Sequence, residues 1–93
     1  MKVSFTAQAR ADRNAIFDYL SDRSPNGARN VIEAIERALQ LIAEHPESGS
    51  GTRRAGTRVM SLGSYPYRIF YRLRQRDVLI QHIRHTSRRP WKG

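Results

Sequence analysis

The second half of the chain concentrates side chains that could hold a phosphate or another anion. Residues 52–93 contain eleven Lys or Arg against one acid, Asp77, which gives a net charge of +10. Residues 1–51 contain six basic against seven acidic residues, which gives −1. A field of one sign on part of a small fold attracts polyanions or an acidic partner. A basic surface that only keeps the protein soluble is the alternative.

Alternation along residues 67–74 sorts the arginines of that segment onto one face of a predicted strand. Side chains two apart point to the same side of a strand. The apolar positions should therefore pack while the cationic positions face outward. The predicted core face holds Tyr67, Ile69, Tyr71 and Leu73, and the predicted cationic face holds Arg68, Phe70, Arg72 and Arg74.

These positions and the basic tail supply the candidate residues for contact with a target. Phe70, between two arginines, either stacks on a base or fills half-buried sheet surface. Trp91 is either a binding anchor or a side chain that folds back over the sheet. The predicted target-binding set is Arg68, Arg72, Arg84, Arg88, Arg89 and Trp91.

His85 is the candidate catalytic residue, if the chain is a nuclease. Metal-independent RNA cleavage needs a base, an acid and cations around the phosphate. Arginine supplies only the cations because its pKa is too high for proton transfer at neutral pH. His85 ends a predicted strand beside Arg84, where neighbouring cations favour the neutral, proton-accepting imidazole. The alternative is a hydrogen-bonded structural histidine, which is the favoured interpretation for His82 within the strand.

The sequence predicts no cofactor and no metal. His82 and His85 are three apart, so on a regular strand they point to opposite faces and cannot share an ion. The glycine-rich stretches SGSG and GTRRAG lack the lysine and the strand-loop-helix context of a phosphate-binding loop. Asp77 is the one carboxylate of the basic half, which argues against a paired-carboxylate hydrolase or a two-metal nuclease.

The first half of the chain predicts a strand followed by two helices. KVSF alternates like a strand, and Thr6 is a suitable N-cap for a helix over residues 7–22. Ser24 followed by Pro25 is typical of a new helix start, and Pro46 ends that helix at His45. A short connection makes the two helices antiparallel neighbours. The predicted apolar stripes are Ala9, Ile16, Phe17 and Leu20 in the first helix and Val31, Ile32, Ile35, Leu39 and Ile42 in the second.

The second half predicts a mobile surface loop at 46–56 and then strands at 57–62, 67–74 and 78–85. The order βααβββ defines an α+β fold in which a two-helix antiparallel hairpin packs on one face of a small antiparallel sheet of three or four strands. The segment YRIFYR should lie in the interior of that sheet. Residues 1–93 form a single domain in this prediction.

Location is predicted from what the sequence lacks. The chain contains no cysteine, as suits a reducing cytoplasm. The N-terminal stretch contains no apolar leader segment, and no run of 18 apolar residues occurs. The sequence therefore predicts a soluble cytoplasmic protein without a membrane partner.

The segments YPYRIFYRL and HIRHTSRRPW, behind a βαα unit followed by HPESG, resemble the RelE/ParE superfamily of toxins from bacterial type II toxin-antitoxin modules. The resemblance is greater to the ParE-like branch and covers nearly the whole chain. It implies a compact toxin that a cognate antitoxin neutralises by wrapping it with a C-terminal segment. Members of this superfamily either cut mRNA in the ribosome or, in the ParE-type branch, poison DNA gyrase.

Two departures from the mRNA-cleaving branch decide the order of the function hypotheses. The segment VMSLGS is uncharged where those toxins have basic residues, and the tail offers Trp91 instead of a tyrosine. The first hypothesis is therefore a gyrase inhibitor that is not itself an enzyme. The alternatives are a ribosome-dependent endoribonuclease and a non-toxic nucleic-acid-binding module. For either toxin, the predicted partner is an antitoxin that is acidic where it docks, in a hetero-oligomer.

Overall fold

The structure, a computed structural model, describes residues 1–86 of the 93. Two helices pack on one face of a mixed sheet, and the element order follows the predicted βααβββ with one short additional strand. The elements are β1 (Lys2–Phe5), α1 (Ala7–Arg23), α2 (Pro25–Glu44), β2 (Ser50–Gly51), β3 (Thr57–Leu62), β4 (Tyr65–Leu73) and β5 (Asp77–His85).

Two hydroxyl side chains start the helices where the sequence predicts. Thr6 Oγ1 accepts a hydrogen bond from the Ala9 N–H at 2.9 Å, and Ser24 Oγ accepts one from the Gly27 N–H at 3.0 Å. Ser24 also ends α1, because its own N–H donates to the Leu20 carbonyl oxygen at 2.7 Å. One extended residue therefore joins the helices, which places them side by side and antiparallel.

The predicted α+β fold class is confirmed, but the sheet differs from the predicted antiparallel arrangement. Among residues 1–86 it contains five strands in the order β1-β5-β4-β3-β2. β1 runs parallel to β5, with Lys2 opposite Asp77 and Phe5 opposite Ile80; the other pairs are antiparallel. No hairpin turn links β1 to β5, so sequence alternation marks β1 as a strand without fixing its direction. The segment YRIFYR lies in β4, inside the sheet as predicted.

The core lies between α2 and the helix-facing side of the sheet. Ile35 and Ile42 of α2 are fully buried, as are Ile69 and Tyr71 of β4 and Ile80 of β5. The apolar spacing of three and four in α2 therefore predicts its buried face correctly. No helix among residues 1–86 is long and apolar enough to cross a membrane.

The prediction for α1 is wrong at one position. Ile16 and Leu20 pack against the core, whereas Phe17 keeps 47% of its surface exposed. Successive residues of a helix differ in direction by about 100°. Phe17 therefore points away from the stripe that Ile16 and Leu20 share.

Tyr71 holds the loop that the sequence predicts to be mobile. Its hydroxyl donates to the Pro46 carbonyl oxygen and accepts from the Gly49 N–H, both at 2.8 Å. Arg58 adds a bond of 2.8 Å from Nη1 to the Gly49 carbonyl oxygen, and β2 pairs with β3. The first part of the 46–56 loop is therefore fixed to the sheet.

We expect Tyr71→Phe to lower the free energy of unfolding by about 1–3 kcal/mol, because it leaves the buried Gly49 N–H without its acceptor. Gly49→Ala should cost about 1–3 kcal/mol, since a Cβ there would lie 2.5 Å from the Tyr71 hydroxyl oxygen. Urea denaturation of each variant measures both effects.

Gly51→Ala is the matched control. A Cβ on Gly51 would meet no atom within 4 Å, so its effect should stay within about 0.5 kcal/mol. Equal stability of Gly49→Ala and Gly51→Ala would contradict the role assigned to Tyr71.

Candidate functional site

The face of the sheet opposite the helices, called here the outer face, carries three cross-strand rows of side chains. The row order follows from the pairing of β3, β4 and β5. The first row contains one arginine, the middle row contains two aromatic rings, and the third row contains two arginines. The rows are Thr57, Arg72 and Leu79; then Val59, Phe70 and His82; then Ser61, Arg68 and Arg84.

A β-bulge in β5 determines which of its side chains reach the outer face. Phe70 pairs with His82, but its neighbour Tyr71 pairs with Ile80, so Gln81 is an extra residue. A bulge shifts the alternation of the residues that follow it. Ile80 and Ile83 are therefore both buried on the core side although they are three residues apart. The same shift places Arg84 directly opposite Arg68.

The predicted arginines of the outer face are accessible. Arg68 and Arg72 are exposed, and Arg84 and Phe70 are half-buried. The Arg72 guanidinium lies against Gly56, where a Cβ would come within 3.2 Å of Nη2. Gly56 also has φ of 80°, a left-handed conformation that favours glycine. The loop that Gly56 closes carries the exposed Arg53 and Arg54 to the Arg72 end of the outer face.

Carboxylates are segregated from the outer-face arginines. Seven of the eight acids lie in α1, in α2 or at Glu47. Asp77 of β5 is bound by Arg74, with Nε to Oδ1 at 2.6 Å and Nη2 to Oδ2 at 2.5 Å, and Ser4 Oγ donates to it at 2.8 Å. These bonds lower the pKa of Asp77 to about 2, and the bond from Arg74 has the largest effect. Within residues 1–86, no ion pair joins Arg68 or Arg72 to a carboxylate.

His85 points to the other side of the sheet. It pairs with the buried Tyr67, and the two rings meet edge to face with centroids 5.2 Å apart. His85 lines a cavity of about 320 Å³ together with Tyr19 of α1, Tyr67 and Arg84. The structure therefore brings the candidate base together with Arg84 but not with Arg68 or Arg72. His82 and His85 lie on opposite faces, as their spacing predicts.

Asp12 is a residue of this region that the sequence analysis missed. Its Oδ2 accepts a hydrogen bond from the Ile83 N–H at 3.0 Å and lies 3.2 Å from His82 Nδ1. β1 pairs with β5 only as far as Ile80, so the edge of β5 beyond that point is available to a side chain from α1. The contact joins residues 71 positions apart, and no local pattern signals it. It agrees with a structural role for His82.

Arg88, Arg89 and Trp91 lie outside the described residues. The described part of the predicted target-binding set is therefore Arg68, Arg72 and Arg84.

The sequence model of a protein family described as "ParE toxin of type II toxin-antitoxin system, parDE" matches residues 3–90. The chain belongs to the ParE toxin family. This ParE-family chain is 33% identical over 85 residues to a candidate toxin, Y4kP of Sinorhizobium fredii, covering 91% of the chain and 88% of the relative. It is 35% identical over 88 residues to Toxin RelE2 of Caulobacter vibrioides, covering 94% and 97%.

Solved structures share the fold of this ParE-family chain. A chain of the chromosomal ParDE toxin-antitoxin system from P. aeruginosa superposes with a TM-score of 0.81 at 21% identity, covering 94% of this chain and 97% of that one. A chain of the YoeB dimer from Staphylococcus aureus superposes with a TM-score of 0.64 at 13% identity, covering 91% and 95%. The ParE-family chain is thus a type II toxin-antitoxin toxin, and this class of module implies an antitoxin as its partner.

We expect Asp12→Ala to destabilise the fold by about 1–3 kcal/mol, because it removes the acceptor of the Ile83 N–H at the covered edge of β5. Asp18→Ala removes the same charge from an exposed position of α1 and should change stability by no more than about 0.5 kcal/mol. Urea denaturation compares the two. Equal effects would show that the Asp12 contact does not hold α1 to the sheet.

Proposed function

We propose that the chain is a toxin that inhibits DNA gyrase through protein contacts and that a cognate antitoxin neutralises it. The observation that carries this proposal is the separation of Arg68 and Arg72 from His85 by the sheet. An inhibitor that acts by contact needs an accessible surface and no proton-transfer group. The exposed Arg68 and Arg72 of the outer face offer such a surface, away from the candidate base His85. A site of action at gyrase would also place the protein in the cytoplasm.

A nuclease makes a stricter geometric demand. Its base and its cations must converge on one phosphate within hydrogen-bonding reach. His85 shares its cavity with Arg84, whereas the exposed Arg68 and Arg72 lie on the other face. This arrangement favours contact over cleavage. The Toxin RelE2 relative makes mRNA cleavage in the ribosome the alternative to be tested.

The family match supports the same choice. The family model that spans residues 3–90 is that of the ParE toxin, and the gyrase-poisoning members of the wider superfamily belong to the ParE-type branch. Proteins that share a fold can differ in their functional sites. Activity measurements on variants are therefore needed to identify the target. The proposed contact residues are Arg68, Arg72 and Arg84, with Arg88, Arg89 and Trp91 of the tail.

We expect purified chain to inhibit supercoiling by gyrase and to produce no mRNA fragments with translating ribosomes. Loss of two exposed charges in Arg68→Ala/Arg72→Ala should weaken inhibition about tenfold, since two such contacts contribute about 1.4 kcal/mol together. His85→Gln should leave inhibition within about twofold. Supercoiling assays and primer extension on mRNA measure the two activities.

Arg37→Ala is the control for loss of charge. Arg37 is an exposed arginine of α2, on the helical side of the fold, and its removal should leave inhibition unchanged. The contrary result is a set of discrete mRNA cuts that His85→Gln reduces roughly a hundredfold, the typical loss for a missing general base. That result would assign the chain to the endoribonucleases.

The antitoxin should be acidic where it contacts the toxin, because the chain has a net charge of +9 and its exposed outer-face arginines are unmatched by carboxylates among the described residues. Expression of the chain alone in bacteria should arrest growth, and coexpression of the adjacent acidic gene product should restore it. Binding at a hundredfold excess over Kd should also stabilise the toxin by about 2.7 kcal/mol. Growth curves and thermal denaturation of the complex measure these effects. Unimpaired growth at high expression would contradict the proposal.

A further inference from the structure

We infer that the loop between β2 and β3 binds the phosphate backbone of a DNA duplex through the guanidinium groups of Arg53 and Arg72. This loop, residues 52–56, is called here the β2–β3 loop. The inference deepens the proposed function, on which it rests for the source of the duplex, the DNA on which gyrase acts. Three features of the described residues support it: the charge of this part of the chain, the fixed shape of the loop and the kind of side chains that the loop carries.

The part of the chain around the β2–β3 loop has an unbalanced positive charge. Residues 48–76 contain seven arginines and no acidic residue. Arg58 and Arg74 bind groups of the fold itself. Arg53 and Arg72 are exposed, and within the described part of the chain neither forms an ion pair with a carboxylate. An exposed cationic surface of this kind attracts a polyanion.

Hydrogen bonds of Thr52 fix the shape of the β2–β3 loop. Its Oγ1 donates to the Thr57 carbonyl oxygen at 3.0 Å and accepts from the Arg54 N–H at 3.2 Å. The Thr57 N–H donates to the Arg54 carbonyl oxygen at 3.0 Å. The backbone that carries Arg53 is therefore held in one conformation, so less conformational entropy is lost when a ligand binds.

Arg72 of β4 brings a second guanidinium group to the same loop. It pairs with Thr57, the first residue after the loop. A Cβ on Gly56 would come within 3.2 Å of Arg72 Nη2, so the guanidinium group lies against the loop backbone. A duplex carries one phosphate charge per about 1.7 Å of its axis. Arg53 and Arg72 can therefore both contact phosphates of one duplex.

The side chains of the β2–β3 loop favour a nucleic acid over an acidic protein as the ligand. Protein interfaces depend on aromatic or large apolar anchors near their centre, and the loop sequence TRRAG contains none. Phosphate backbones are held by arginine, lysine and hydroxyl side chains and by backbone N–H groups, which need no such anchor. Gly51, just before the loop, is exposed, and a Cβ there would meet no atom within 4 Å. A phosphate backbone can therefore approach the loop closely.

Fluorescence anisotropy of the full chain with a short labelled DNA duplex tests the inference. Affinity should fall with salt, and Arg53→Ala and Arg72→Ala should each reduce the slope of log K against log salt by about 0.9. Two duplexes of unrelated sequence should bind alike, because phosphate contacts carry no sequence information. Arg37→Ala, at an exposed position of α2, is the charge-matched control and should leave the slope unchanged.

Gly51 provides a second test that leaves both arginines in place. Gly51→Glu adds a carboxylate in open space beside the loop, and its repulsion of phosphates should weaken duplex binding about tenfold at low salt. Gly51→Gln adds the same bulk without the charge and should retain binding. Equal binding by the two variants would contradict the inference. Thermal denaturation of both variants shows that each is folded.

Two competitors identify the ligand. Unlabelled duplex DNA should displace the labelled duplex, and polyglutamate at the same concentration of charges should displace far less of it. Equal displacement by polyglutamate would overturn the inference in favour of an acidic protein. Tighter binding of an RNA duplex than of the DNA duplex would overturn it as well, and so would binding that neither Arg53→Ala nor Gly51→Glu weakens.

The gyrase assay keeps this inference separate from the proposed function. Inhibition of gyrase that survives Arg53→Ala, with no duplex binding by the wild type, would overturn the DNA site and leave the proposed target standing. Duplex binding that depends on Arg53, without any effect on gyrase, would establish the site and remove the target.

Discussion

The extra residue at Gln81 determines which chemistry the sheet presents on each side. In a regular strand, Ile80 and His82 would share a face, and so would Arg84. The bulge instead keeps Ile80 and Ile83 in the core and places Arg84 opposite Arg68. It also directs His85 toward α1, against Tyr67. The one inserted residue thus places Arg84 beside Arg68 on the outer face and His85 on the opposite face, while His82 stays on the outer face. Bulges near functional surfaces commonly redirect side chains in this way.

Among residues 1–86, the two helices support this sheet from one side. A domain of this size buries about two thirds of the surface of its unfolded chain, so the two helices and a few buried hydrogen bonds must suffice. Ser24 caps α2 and is the single residue that joins it to α1. Asp12 attaches α1 to the edge of β5, and Tyr71 attaches the loop after α2 to β4. Among residues 1–86, none of these three attachments uses the exposed Arg68 or Arg72 of the outer face.

Local sequence signals predicted the parts of the fold that local forces determine. Thr6 and Ser24 marked both helix starts because an N-cap needs only the next three residues, and the spacing in α2 marked its buried face. Alternation in β4 separated Arg68 and Arg72 from Tyr71. Such patterns express periodicities of 3.6 and 2 that any helix or strand must satisfy.

Contacts between distant segments were beyond those signals. Three such contacts join residues that no turn connects. They are the parallel pairing of β1 with β5, the hydrogen bond between Asp12 and Ile83, and the hydrogen bonds by which Tyr71 holds the 46–56 loop. The bulge did leave a trace, because the apolar spacing of Val78, Ile80 and Ile83 changes from two to three. This change of spacing indicates a bulge only when Ile80 and Ile83 are both known to be buried. The sequence could predict which arginines share a face of β4, but it could not predict how they align with the side chains of β3 and β5.

The pairing of β1 with β5 has a consequence for synthesis. Lys2 lies opposite Asp77, so the first strand finds its neighbour only after some 75 further residues have been made, and β5 then separates β1 from β4. The helical pair can form early because its contacts are local. The sheet cannot close until β5 has emerged, since among residues 1–86 β5 is the strand that pairs with β1. A nascent or truncated chain that lacks β5 therefore leaves the core side of β4 uncovered and lacks Arg84 of the outer face. We expect toxicity to appear only after β5 has been made.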